Sequence, residues 1–83
     1  MPLYVDVHYA VEGLTGDAVA EAHSRDLAVQ DKHGVQYLNY WFDDKTGKVF
    51  CLVDAPDPEA AARVHHEAHG LLADEITEVL IGD

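Results

Sequence analysis

The sequence predicts an α+β fold of the ferredoxin-like type, βαββαβ, with a four-stranded antiparallel sheet and two helices on one face. Three observations carry that prediction: the order of alternating and helix-forming segments, a proline-led helix start at Asp57-Pro58-Glu59, and a hairpin signal over residues 43–47. The first strand covers residues 3–9, where Leu3, Val5 and Val7 alternate with Tyr4, Asp6 and His8. Gly13, Thr15 and Gly16 break that pattern. Helix formers then dominate from about Thr15 to His33, with Thr15 as N-cap, Asp17 against the positive end of the helix dipole, and Gly34 at the usual stop. VQYLNYWF, residues 35–42, is dense in β-branched and aromatic side chains and predicts the second strand. DDKTG, residues 43–47, is a tight turn ending on glycine, and KVFCLVDA, residues 48–55, reads as a central strand covered on both faces. Asp57 caps the second helix, Pro58 takes its first position, and the helix runs to about His69 before Gly70 stops it. EITEVLI, residues 75–81, returns as the last strand.

No repeat or linker divides the 83 residues, so residues 1–83 are expected to form one domain. Its core is thin, and pairing with a second copy, a homodimer, is a common remedy. Five Lys and Arg stand against sixteen Asp and Glu, a net charge of −11. That balance argues against nucleic acid and anionic membranes and favours cations as partners. The start lacks the basic and apolar regions of a signal peptide, and no apolar run approaches the ~18 residues of a membrane span, so a cytoplasmic protein is expected. A single cysteine, Cys51, excludes an internal disulfide and every paired-cysteine zinc pattern. Six histidines are the compositional oddity, because imidazole is the commonest metal ligand among side chains.

His65 and His69 are four apart and so share one helical face, a spacing that lets two imidazoles hold one metal, whereas His66 turns roughly 100° away toward solvent. The stripe of Ala61, Val64, Ala68 and Leu72 leaves both at its flank, pointing partly inward. In the first helix His23 and Asp26 share a face with Val19 and Ala22, and an aspartate stands where an amphipathic helix would place Leu or Ile. His23 and His65 each lie eight residues past their caps, Thr15 and Asp57. With both helices running the same way, that is about 12 Å along each. His23, Asp26, His65 and His69 are therefore expected to meet between the helices. Three nitrogens and one carboxylate suit Ni(II), Zn(II), Cu(II) or Co(II). The plainer alternative is a hydrogen-bonded histidine–aspartate network without metal.

Asp6 and His8 share a strand face, expected on the open side of the sheet beside Tyr4 and one aromatic set, either Tyr37/Trp41 or Tyr40/Phe42. There they would be a weaker ligand pair or part of an interface with a second protomer. Cys51 reads as a small buried hydrophobe; a thiol turned toward the helices would instead underlie the histidines as a soft donor or nucleophile.

The segments AEAHSRDLAVQDKHGVQYLNYWFD and GKVFCLVDAP…AARVHHEAHG resemble the small actinobacterial nickel-binding proteins of a ferredoxin-like domain family formerly without assigned function. The resemblance rests on A-H-x-x-D-L from Ala22 to Leu27, Tyr40-Trp41, V-F-C-L-V from Val49 to Val53, and V-H-x-E-A-H-G from Val64 to Gly70. It implies a βαββαβ fold, a homo-oligomer, and nickel held at histidine-rich sites in metal sequestration or homeostasis. Ligand-type side chains at the motif positions are His23, Asp26, His65 and His69, with Asp6 and His8 as a possible further site. One departure is that Tyr9 and Ala10 follow His8, where the resemblance leads one to expect more histidines. The expectation is thus metal binding without turnover. The competing readings are a small dimeric monooxygenase- or isomerase-like enzyme using the same cluster or the open sheet face, and a metal-free module whose histidines respond to pH.

Overall fold

The computed structural model describes residues 2–82. Its elements are β1 (Leu3–His8), α1 (Gly16–Val29), a 3-10 turn (Gln30–His33), β2 (Gln36–Asp43), β3 (Lys48–Asp54), α2 (Pro58–Ala68) and β4 (Glu75–Val79). The sheet order is β2-β3-β1-β4 with every neighbouring pair antiparallel, which is the predicted ferredoxin-like arrangement. Both helix starts are built as their sequences require. The Thr15 hydroxyl accepts from the Ala18 N–H at 3.1 Å, and the Asp57 carboxylate accepts from the Ala60 N–H at 2.7 Å.

The helix ends differ from the sequence expectation. The segment predicted as one helix to His33 tightens to 3-10 geometry after Val29 and closes on Gly34 in the left-handed conformation, φ 67°. α2 stops at Ala68, so Leu72 lies beyond the helix and is exposed instead of completing its apolar stripe. β4 ends at Val79, and Leu80 and Ile81 project past it.

Two further expectations are corrected, and both decide where the site lies. Tyr4, Asp6 and His8 do not face the open side of the sheet. They are buried beneath the helices, paired with Val53, Cys51 and Val49 of β3, while Leu3, Val5 and Val7 take the open face. Alternation gives the two faces of a strand but not which one is covered; here the polar set goes under because α1 and α2 bring polar partners to meet it. The two aromatic sets also fail to divide as expected. A register shift between Tyr37 and Asn39 inserts one residue, so Tyr37 and Tyr40 both oppose inward residues of β3, Val53 and Cys51, and Trp41 opposes Phe50 on the open face.

The helices, moreover, do not run the same way. β1 and β3 are antiparallel, and each helix returns along the sheet from the strand before it, so α1 and α2 run in opposite directions. Equal distance from the caps therefore does not bring His23 level with His65.

Small side chains let α2 close on the sheet: Ala60, Ala61 and Val64 are fully buried, as are Val53 and Ala55 beneath. No helix among the described residues is long and apolar enough to cross a membrane.

The loop after β1 is fixed through Gly47, whose carbonyl accepts from the Val11 N–H at 2.9 Å and whose φ is 78°. A Cβ there would stand 3.0 Å from the Val11 nitrogen. Gly47→Ala should therefore cost about 1–3 kcal/mol. That cost would appear as a lower denaturant midpoint; an unchanged midpoint would show that the turn tolerates a side chain.

Candidate metal centre

His65, on the inward face of α2, lies between an aspartate from α1 and an aspartate from β1. Its Nδ1–H donates to Asp26 Oδ1 and its Nε2–H donates to Asp6 Oδ2, each at 2.9 Å. All three residues are at most 2% exposed. One helical turn on, the His69 Nε2 lies 3.1 Å from the same Asp26 Oδ1. The Tyr37 hydroxyl sits between Asp6 Oδ2 at 3.2 Å and the Ala61 carbonyl at 3.1 Å. His8 approaches from β1, its ring centroid 5.0 Å from that of His65 and its Nε2 3.5 Å from Asp6 Oδ1. That second oxygen of Asp6 has no hydrogen-bond partner among the described residues.

Among the described residues, no Lys or Arg pairs with either buried carboxylate. Burial alone would raise the pKa of Asp6, but the hydrogen bond from His65 and the nearby His8 imidazole outweigh it and hold the group well below the usual carboxylate range. For Asp26 the same opposition is settled by His65 and His69, and its value is also lowered. Burial alone would lower the His65 pKa, yet the bonds to Asp26 and Asp6 push it up to about 11. At neutral pH the centre thus holds an imidazolium between two carboxylates. Burial pushes the Cys51 thiol up to about 11, so it is protonated.

Two ligand groups result, Asp26/His65/His69 and Asp6/His8/Cys51/His65, and within each the donor atoms lie within 4.8 Å of one another. Both border a cavity of about 160 Å³. Val11, Leu14, Val19 and Val49 form part of its apolar wall.

Of the residues expected between the helices, Asp26, His65 and His69 converge. His23 lines the same cavity but belongs to neither group: its ring packs on Tyr40, centroids 4.7 Å apart, and its buried Nδ1 lacks a partner. Asp6 and His8 join the same centre from the sheet below. His66 is exposed as expected, and His33 bonds Glu67 at 2.8 Å on the surface. Tyr37 is not expected at the site from its sequence, and Cys51 is expected there only if its thiol turns toward the helices, which it does. The signal for Cys51 was the antiparallel pairing of β1 with β3, which sets it opposite Asp6 and turns both the same way. Imidazole, carboxylate and thiol donors, with a buried Asp6 oxygen and a buried His23 nitrogen unpaired, fit a divalent transition ion.

A profile of the family described as "Nickel responsive protein SCO4226-like" matches residues 4–79. Among solved structures, the chain is similar to SCO4226 from Streptomyces coelicolor A3(2), with 40% sequence identity and a TM-score of 0.91 over 98% of this chain and 99% of that one. No curated protein matches the chain.

The charge arrangement predicts how metal-free stability varies with pH. The raised His65 value contributes stability that is complete below its ordinary value of about 6.5 and is lost as pH climbs toward about 11. The lowered Asp6 and Asp26 values contribute stability present above about pH 4 and lost as pH falls further. The denaturant midpoint of metal-free protein should accordingly peak between those limits and decline from pH 6.5 to 9. A midpoint flat over that alkaline range would contradict the imidazolium between two carboxylates.

Proposed function

The chain belongs to the SCO4226-like family of nickel-responsive proteins, and on that premise we propose that it binds a divalent transition ion, nickel foremost, at Asp26, His65 and His69. It holds the ion without turnover, in metal sequestration or homeostasis. One observation carries this reading: two buried carboxylates share a single imidazole, whose extra proton occupies a place that a cation can take. Asp26 Oδ1 already stands within 2.9 and 3.1 Å of the two imidazoles, so the donors are gathered before any ion arrives. The ion displaces the proton on Nδ1 of His65, while Nε2–H stays on Asp6, which fixes the ring and strengthens it as a donor. His23, outside that group of three but with an unpartnered Nδ1 on the same cavity, is the nearest candidate for a fourth donor once its side chain turns toward the ion. Zn(II), Co(II) and Cu(II) suit the same set, and cellular supply decides among them.

In this reading the protein works in the cytoplasm as a dimer. Val5, Val7, Trp41, Phe50 and Leu52 share the open face of the sheet, a surface suited to a second copy. The alternative, a small ferredoxin-like enzyme of the monooxygenase or isomerase type, draws support from the apolar wall beside the cluster, where an organic substrate would rest against the histidines.

Calorimetric titration with Ni(II) should show saturable binding that His65→Ala and His69→Ala each weaken at least tenfold with little change in far-UV dichroism. His69 is the more telling position, since removing His65 also strands two buried carboxylates. Unaltered affinity in both variants would remove the inter-helix site. Because the ion replaces a proton on His65, apparent affinity should rise by about tenfold per pH unit between pH 6.5 and 8.5. Affinity independent of pH over that range would exclude His65 as a ligand.

A further inference from the structure

We propose that a second cation binds on the sheet side of His65, held by Asp6 Oδ1, His8 Nε2, the Cys51 thiolate and Nε2 of His65, so that one imidazole bridges two ions. The proposal rests on the inter-helix reading for the first ion, which occupies Nδ1. Its strongest support is the oxygen Asp6 Oδ1. Asp6 is 1% exposed and its Oδ2 takes both His65 and Tyr37, yet Oδ1 has no hydrogen-bond partner. A buried carboxylate oxygen left in that state is costly and calls for a partner. The neighbour it faces, His8 Nε2 at 3.5 Å, is too distant for a good hydrogen bond. An ion between them satisfies both.

The four donors come from three rigid elements. Asp6 and His8 are two apart on one face of β1, Cys51 is directly opposite Asp6 on β3, and His65 descends from α2. Their ligand atoms already lie within 4.8 Å of one another, so binding asks for side-chain adjustment without backbone movement. The two nitrogens of His65 face opposite partners, Nδ1 toward Asp26 and Nε2 toward Asp6, which is what a bridge requires. Cys51 gains a role as well: a buried thiol among charged groups, in a chain with no second cysteine, becomes the soft donor of the set.

Charge and protons balance. Two divalent ions bring four positive charges, and Asp6, Asp26, the Cys51 thiolate and the His65 imidazolate bring four negative ones. The second ion releases one proton from Cys51 and one from Nε2 of His65 to solvent, with no change of oxidation state. Thiolate, imidazole and carboxylate together favour Ni(II), Co(II) or Zn(II) over Mg(II) and Ca(II).

The test is titration of the full chain with Co(II) and with Ni(II), followed by ultraviolet absorption and by bound metal after desalting. The expected result is two ions per chain and a thiolate-to-metal band that reaches its maximum only with the second equivalent. Cys51→Ser should hold one ion and show no band. His69→Ala should weaken the first ion and retain the band, which keeps failure of the two sites distinguishable. No thiolate band in the wild-type chain at saturation, or undiminished stoichiometry in Cys51→Ser, would overturn the second site while leaving the first standing.

Discussion

Asp6 and Asp26, on different elements, are both ion-paired through the two nitrogens of His65, and the inner layer of the protein is arranged around that contact. For the imidazole to reach both, α2 must lie close to the sheet, and Ala60, Ala61 and Val64 on its inner side are small enough to allow it. For the carboxylates to be tolerated without water, other polar groups must supply what remains, as Tyr37 does for Asp6 and His69 for Asp26. Removing one partner strands a charge in a buried layer, at a cost of about 3–5 kcal/mol. The cluster is thus a constraint on the fold as much as a place for chemistry.

The same constraint explains why a cation suits the centre. Two carboxylates facing one imidazolium carry a net negative charge, in a chain whose total is −11, and the site is bordered by further histidines with lone pairs to give. Binding an ion there stabilises the folded chain by mass action, since the unfolded chain does not hold the donors together. A protein whose buried core is largely valine and alanine gains more from such a clamp than one with large apolar side chains. If the proposed ion is captured there, metal capture and structural integrity are one property.

Most of the fold was legible because its signals are local. Thr15 and Asp57 mark helix starts by accepting backbone N–H bonds, Gly34 ends the 3-10 turn that follows α1 by its left-handed backbone, and the order of elements leaves few topologies. The inter-helix set was partly legible too: Asp26 stood out as a carboxylate on an apolar face, and His65 and His69 by their spacing. What escaped needed tertiary information. Strand alternation does not say which side of β1 is covered, so Asp6 and His8 were assigned to the wrong face. A one-residue bulge beside Leu38 placed Tyr37 and Tyr40 together against any fixed alternation. The opposed helix directions moved Asp26, and not His23, to the height of both histidines. Cys51 stays ambiguous in the sequence, between a buried hydrophobe and a donor beneath the histidines, because a cysteine within an apolar run looks the same whether it meets valine or a charged cluster.

The central claim is that the pair of buried aspartates around His65 is a cation site, and anomalous diffraction at the nickel absorption edge from crystals grown with Ni(II) tests it most directly. The predicted result is an anomalous peak inside the molecule, within bonding distance of Asp26, His65 and His69. Nickel peaks confined to surface histidines such as His66 and His33, with the His65–Asp26 hydrogen bond intact, would contradict it and leave the cluster a purely structural network.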